Sequence, residues 1–553
     1  MIRKYSPRHA GALALSLGLA GALAGCGGGG GSSSDNAGAS NFAGASLSVD
    51  VYGARGGTLT AVSGNCPNNL AVGWSSPGHV GPLRGASIDD PDPTTPLTVS
   101  ASCGNLSTMV TLAAQNVFAA PSVFAVAKSD GTLAVWGSSR LGGDTSALQT
   151  QPRNVVKVVG GERAWAALQA DGTVVTWGRA GSGGSYAGTP GAGSADSTAP
   201  VAPLSKVRNI WALKRGFVAL NGDGSATAWG NLEKTFDGNG GSASVSSYFT
   251  PTTLAQFSDV VDVSYSEGAA AALKRDGTVF AWGDEVSGGD VSPVAAQLRD
   301  VVKIYSTDYS FTALRKDGSL VSWGLDWDSD DLYTATQTMP QANLSLLSNR
   351  NVIAALSQTG VVSTIGGVMF DRGADLSGFA GGLNNVAKVF ASKTAFAALR
   401  RDGTVVSWGD AQRNNVASVQ AQLNNVLTVA STETAFAALR SDGTVVSWGD
   451  ETRGGDSSAV QPQLNNVVAL FSNDYAFAAL KRDGTVVSWG AAVHGGDSSA
   501  AQPKLRNIRA IYATALGGFL AVAKDGSFVN WGSPSAGGGP VPAGLTVIPY
   551  LKR

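Results

Sequence analysis

Three cysteines and three histidines are the scarcest reactive side chains of this 553-residue chain, and their positions restrict its chemistry. The histidines, His9, His79 and His494, are too few and too scattered for a multi-histidine metal site. Serines are plentiful, but neither His79 nor His494 has a Gly-x-Ser-x-Gly motif beside it, so no activated hydroxyl is expected. Asp402, Asp442 and Asp483 recur in one phrase and resemble a carboxylate array. Each precedes a glycine between two apolar runs, which makes it the first residue of a hairpin turn. Asp326, Asp328, Asp330 and Asp331 could open a calcium loop. Such a loop needs glycine at its sixth position and a carboxylate at its twelfth, and here those are Asp331 and Gln337. Asp456 and Asp497 follow Gly-Gly pairs and are expected to cap turns. No catalytic residue, metal site or cofactor is expected.

The elements that hold these residues repeat. Phe396 to Gly409 (Phe-Ala-Ala-Leu-Arg-Arg-Asp-Gly-Thr-Val-Val-Ser-Trp-Gly) recurs closely at 436–449 and 477–490. Looser copies place their aspartate at Asp130, Asp171, Asp223, Asp276, Asp317 and Asp525, and a degenerate copy has Thr359-Gly360. Asp402, Asp442 and Asp483 lie 40 and 41 residues apart, a period that signifies a solenoid, propeller or array. Longer intervals coincide with Gly/Ser-rich stretches at 179–200 and 231–248. Within a unit, a β-branched run such as Asn466 to Phe471 meets a polar turn. Phe477 to Leu480, Asp483-Gly484 and Thr485 to Trp489 then follow. Each unit therefore predicts three antiparallel strands, with the tryptophan wedged between neighbouring sheets. The fold class expected is all-β: a propeller-like array of ten short β-sheet repeats over 116–553. Ten units are compatible with one wide ring, two smaller rings or an open arc.

A different pattern precedes the repeats. Over 42–115, Leu47 to Val51, Leu97 to Ala101 and Met109 to Leu112 alternate apolar and polar residues between Gly, Pro and Asn clusters. This predicts a small β-sandwich-like domain of immunoglobulin type. Cys66 and Cys103 fall inside it, and in an exported chain such a pair is expected to form a disulfide. At the start, Arg3, Lys4 and Arg8 precede an apolar run from Ala10 to Ala24, too short for a membrane span of about 20 residues. The run ends in Leu23-Ala24-Gly25-Cys26, followed by Gly and Ser from Gly27 to Ser34. Residues 1–25 are thus read as a leader and 26–41 as a flexible tether.

Two resemblances follow from these residues. Leu23-Ala24-Gly25-Cys26 resembles the lipobox of bacterial lipoproteins, which implies a lipidated Cys26 as the membrane anchor. Gly27 after the cysteine, rather than aspartate, implies the outer membrane, on its periplasmic or surface face. The Ala-Leu…Asp-Gly…Val…Trp-Gly phrase resembles the blade repeat of the regulator of chromosome condensation family of β-propellers. It departs from that family in having Gly454-Gly455-Asp456 or Gly495-Gly496-Asp497 where a Gly-Gln-Leu-Gly loop is usual. Its short units look more like the secreted bacterial propeller that inhibits class A β-lactamases.

Charged residues make up 14% of the chain, and 39 Lys and Arg against 40 Asp and Glu leave a net charge of −1. That balance excludes a broadly basic nucleic-acid binder and an acidic disordered chain. The tips between first and second strands vary most and hold Glu162, Asp308, Tyr309, Glu433, Asp474 and Tyr475. Equivalent loops of a propeller share a face, so these six are the candidate contacts for a protein partner. The function expected is an outer-membrane-anchored, non-catalytic protein-binding propeller. The alternative is an inhibitor of, or enzyme acting on, an envelope component. Cys26→Ser should release the protein from membranes after a high-salt wash, and sedimentation of the variant with the outer membrane would refute the lipid anchor.

Overall fold

Alternation of small and large side chains along one strand sets the architecture. In the computed structural model, Ala395–Arg400 is the central strand of a three-stranded antiparallel sheet, flanked by Val386–Ala391 and Val405–Gly409. Period-two geometry sends Phe396 and Ala398 to one face and Ala395, Ala397 and Leu399 to the other. Phe396 lies directly across from Trp408, with ring centroids 5.3 Å apart. This large face packs on Ala354, Leu356 and Val362 of the preceding sheet. The small face receives Phe436 and Trp448 of the following one. Each blade thus has a large face turned to its predecessor and a small face turned to its successor.

The described residues are 47–546, apart from 55–57, 64–65, 67–69, 76–82, 85–86, 91–94, 104–105, 114, 147, 149–150, 180–181, 185–203, 234–241, 245–256, 326–331, 338–344, 366–374, 380–382 and 411–414. Cys26 and the aspartates of the 326–331 stretch fall outside them. Ten blades follow one another, at 117–137, 155–178, 207–233, 260–283, 301–325, 345–365, 386–409, 426–449, 467–490 and 508–532. Blades 3 and 5 add a fourth, outer strand, Ser242–Ser244 and Leu332–Gln337. Blade 6, the degenerate repeat, replaces the Phe/Trp pair with buried Ile353 and Ile365, which face each other across the sheet.

Of the three closures compatible with ten units, the structure has a single ring. Val117, Phe124, Val126 and Trp136 of blade 1 share a core with Leu520 and Val522 of blade 10. The Leu516 N–H donates to the Pro121 carbonyl at 2.8 Å. Every blade is one continuous segment, so no strand is exchanged to close the circle.

Hydrogen bonds lock blades to their neighbours at up to three levels. Near one end, the Val467 N–H donates to the carbonyl of Gly443 in the Asp-Gly turn of the preceding blade, at 2.9 Å. That turn is itself tight: Gly443 has φ +78°, and Asp442 accepts from the N–H and hydroxyl of Thr444 at 3.0 and 2.6 Å. Bonds from Thr444 hold the Asp442 carboxyl below its ordinary 3.8. Its stabilisation is therefore present above that value and lost as pH falls through the lowered one. In the sheet interior, the Trp489 Nε1–H donates to the Gly454 carbonyl of blade 8 at 3.0 Å. Trp531, Trp323, Trp177 and Trp229 do the same to Gly495, Gly288, Gly142 and Gly183, and Trp136 closes the series on Gly537 of blade 10. The third level is the rim of tip loops described below.

The Gly-Gly pair that follows Trp-Gly in blades 1, 2, 4, 8, 9 and 10 is therefore an inter-blade part rather than a variable loop. Gly454 has φ +94°, and a Cβ there would meet the Phe477 ring of the next blade at 2.6 Å. A Cβ on Gly455 would meet the Gly449 carbonyl oxygen. Blade 7 lacks the pair, and among the described residues Trp448 Nε1 has no acceptor.

The small domain is a sandwich. One sheet holds β1 (Asp50–Tyr52), β2 (Thr58–Val62) and β5 (Ser87–Asp89). The other holds β3 (Ala71–Ser75), β4 (Leu83–Arg84), β6 (Leu97–Cys103) and β7 (Leu106–Leu112). Leu59 and Ala61 from the first meet Trp74, Val99 and Leu112 from the second. The Cys66–Cys103 disulfide ties the segment between β2 and β3 to the end of β6, with Cα atoms 6.2 Å apart. Closing this loop contributes roughly 3–4 kcal/mol in the chain-entropy picture.

This domain docks at the Asp-Gly end of the ring. Tyr52 enters the core shared by blades 9 and 10, and its hydroxyl donates to the Arg482 carbonyl at 2.9 Å. The Gly53 N–H donates to the Arg509 carbonyl, and Asp50 and Asp89 pair with Lys524 and Lys388 at 2.8 and 2.6 Å. Leu47–Arg553 accordingly forms one compact unit. Among the described residues no helix is long and apolar enough to cross a membrane.

Trp448 is fully buried between blades 7 and 8, stacked 5.2 Å from Phe436. Trp448→Ala should destabilise the ring by about 3–5 kcal/mol. A lowered thermal midpoint is the expected readout, and an unchanged melting curve would contradict this packing.

Candidate functional site

At the opposite end of the blades, the turn between first and second strands is built on a small buried polar residue. Ser392, Thr432 and Asn473 accept from the N–H groups of Ala395, Ala435 and Ala476 at 3.0, 3.0 and 2.8 Å. The residue after each is the tip, and its N–H turns toward the next blade. Glu267 donates to Asp308, Asp308 to Arg350, Lys393 to Glu433, Glu433 to Asp474 and Asp474 to Ala515, all N–H to carbonyl at 2.7 to 3.1 Å. Glu162 donates likewise to Lys214. With Leu516 on Pro121, the tips form a chain of backbone hydrogen bonds that runs across the point of ring closure. The serines just before them satisfy free edges of the first strands: the Ser472 hydroxyl donates to the Ser431 carbonyl at 2.6 Å, and Ser431 to Ala391 at 2.7 Å.

This rim encircles a cavity of about 1190 Å³ to which all ten blades contribute. Its charges alternate and pair. Lys214 lies between Glu162, at 3.5 Å, and Glu267. Arg215 reaches Glu162 at 3.4 Å, and Arg350 reaches Asp308 at 2.9 Å. Lys393 bridges Glu433 and Asp474 at 3.5 and 2.8 Å, and Arg453 also pairs with Glu433. Burial lowers Lys214 below its ordinary 10.5 despite the opposing pull of Glu162, and burial likewise lowers Arg215. Burial, reinforced by Glu162, raises the Tyr265 phenol.

The structure therefore brings four of the six residues expected at a partner surface, Glu162, Asp308, Glu433 and Asp474, to one rim, each already engaged by a cation of the same chain. Tyr309 and Tyr475 sit one residue further along and do not line the cavity. Both are half-buried, where the sequence suggested exposed anchors. Tyr475 is held in a stack, with His494 4.2 Å from its ring centroid on one side and the Arg453 guanidinium 4.9 Å away. The loops after Trp-Gly lie at this same end, as the contacts of His494 and Arg453 show.

Sequence reasoning passed over Lys214, Arg350 and Arg453. A signal existed: the tip position reads Glu162, Lys214, Glu267, Asp308, Arg350, Lys393, Glu433, Asp474 through successive repeats, opposite charges placed within reach of one another. From the loop after blade 9 through blades 10 and 1 the rim changes character. Ala515, Leu516 and Pro121 carry no charge, and beside them Val493 is 73% exposed. Among the described residues no cluster of His, Cys, Asp and Glu is placed to hold a metal ion.

No protein-family model and no curated protein matches the chain. Solved structures with similar folds include yeast RCC1 (Prp20) bound to Kap60, at 18% identity over 54% of this chain and 80% of that one, with TM-score 0.30. A structure of Prp20p from Saccharomyces cerevisiae, described with its binding to Gsp1p and histones, is 18% identical over 63% and 84%, with TM-score 0.31. The ectodomain of the Physcomitrella patens receptor kinase CR4 is 13% identical over 50% and 69%, with TM-score 0.29.

Lys214→Met leaves Glu162 and Glu267 facing each other on a partly buried rim and should destabilise the protein by about 1–3 kcal/mol. Adding Glu267→Gln should recover part of that loss. A double-mutant cycle should give a coupling of about 0.5–3 kcal/mol, and zero coupling would show that the rim charges act independently.

Proposed function

We propose that this chain is a non-catalytic, protein-binding propeller of the bacterial outer membrane, anchored through a lipidated Cys26. The observation that carries the binding role is the hydrogen-bonded rim, which holds tip loops of varied sequence in fixed positions around one cavity. A binding scaffold needs this division between constant framework and variable tips. The paired charges of blades 2 to 9 set a pattern that a partner must complement, which supplies specificity and orientation. The uncharged sector of Val493, Leu516 and Pro121, flanked by Tyr475, supplies the desolvated centre that interfaces use for affinity. Inhibition of an envelope hydrolase would be one form of such binding. The anchor is supported by the basic leader, the Leu-Ala-Gly-Cys sequence and the Gly/Ser tether.

The test is capture of envelope proteins by the full-length chain, followed by titration of the identified partner. Val493→Ser with Leu516→Ser, and separately Tyr309→Ala with Tyr475→Ala, should each weaken affinity by more than about 1 kcal/mol. Unchanged affinity in both pairs would move the interface away from this rim.

A further inference from the structure

A net charge of −1 conceals a strong separation of charge between the two ends of the ring. At the Asp-Gly end, blade 5 sets Arg299, Lys303, Arg315 and Lys316 against Asp300 and Asp317. At the end of blade 10, Lys504, Arg506, Arg509 and Lys524 stand against Asp525 and against Asp50 of the small domain, which pairs with Lys524. Blade 7 contributes Arg400-Arg401 beside a single Asp402, whereas Asp259 and Asp262 offset the cations of blade 4. The rim end has the opposite sign: blade 8 carries Glu433, Asp450, Glu451 and Asp456 against Arg453, with Lys393 of blade 7 also on Glu433. Many cations of the Asp-Gly end are exposed, among them Lys206, Arg208, Arg299, Lys303, Lys316 and Arg401.

Two further observations fall at the same end. The first strands bulge after their first residue, which leaves Val156 and Val302 58% and 52% exposed beside these cations. The small domain docks at this end too, over blades 7 to 10. Its contacts through Asp50 and Asp89 already demonstrate that this end accepts carboxylates.

We propose that the Asp-Gly end of the ring is a docking surface for an anionic lipid bilayer, with cations contacting headgroup phosphates and the bulge valines meeting the interface. Exposed cations interleaved with apolar side chains are the composition of membrane-surface elements. Each Lys or Arg near an anionic surface adds about 1 kcal/mol, so a face of this kind adheres without deep insertion. A single lipid chain binds only marginally, and a basic patch is the usual second signal. The docking is carried by the fold and holds whether or not Cys26 is acylated. It also leaves the rim facing away from the membrane, open to a partner.

The experiment uses the full-length chain as Cys26→Ser, so that only the protein surface can bind. Co-sedimentation is measured with vesicles of phosphatidylcholine alone and of phosphatidylcholine with phosphatidylglycerol, at low and high salt. Binding should favour the anionic vesicles by at least about tenfold and fall steeply with salt. Arg299→Glu with Lys316→Glu, both exposed, should reduce that binding by roughly tenfold or more, at about 1 kcal/mol per cation removed. Glu285→Lys at the rim end should not reduce it. Equal binding to neutral vesicles, or unchanged binding by the double variant with an unchanged melting curve, overturns the proposal. So does a duplex DNA that competes as well at equal phosphate concentration, which would mark the surface as a general polyanion site. None of these outcomes bears on the rim variants above, whose readout is a protein partner.

Discussion

Everything in this molecule depends on the contact between one blade and the next. A three-stranded sheet that is apolar on both faces has no stable existence in water, and here its faces are unlike: Phe and Trp on one, Ala, Ala and Leu on the other. Neither face can pair with itself as well as with its opposite. Association is therefore head-to-tail, and a head-to-tail series ends only by closing. Blade 10 offers Leu520 and Val522 to Phe124 and Trp136 of blade 1 as any blade does to its successor. The hydrogen bond from Trp136 to Gly537 spans 401 residues yet repeats the one from Trp489 to Gly454. Closure needs no special device because it is one more copy of the ordinary junction.

That logic explains which parts were legible from the residues and which were not. Strand number, the Asp-Gly turns and the buried tryptophan are local properties of a repeat: Asp442, Thr444 and Trp448 behave within their own unit as their spacing requires. The count of ten was legible for the same reason, including the weak sixth copy, whose Ile353 and Ile365 keep the large face without aromatic rings. Ring closure was not, because a repeat specifies its neighbours but not the small rotation between them. The role of Gly454 and Gly495 was also hidden. Read along the chain they look like loop glycines, and only the ring of Phe477 or Phe519 from the next blade explains why no Cβ fits there.

The candidate site shows the same division more sharply. Glu162, Asp308, Glu433 and Asp474 were identifiable because they vary where the framework is constant. Their pairing was not, since Lys393 and Asp474 are 81 residues apart and two blades removed. The pairing changes what these residues can do. A carboxylate already held by a lysine of its own rim offers a partner shape and a fixed dipole more than a free charge. Binding energy must then come chiefly from the places where the rim is apolar, and these run from the loop after blade 9 through blades 10 and 1.

Polarity between the two ends follows from the repeat itself. Every blade runs in the same direction around the ring, so a residue type at one repeat position appears at one end of the molecule only. Lys or Arg just before Asp-Gly, as in Lys481-Arg482 and Arg315-Lys316, must gather at the docking end of the small domain. Asp and Glu after Trp-Gly, as in Asp284-Glu285 and Asp450-Glu451, must gather at the rim. Local choices of single charges, multiplied through the repeats, thus become a dipolar body whose summed charge is close to zero. The small domain is seated at the cationic end. The charge gradient along the ring axis favours one orientation on an anionic surface, with the Asp-Gly turns toward it and the rim away.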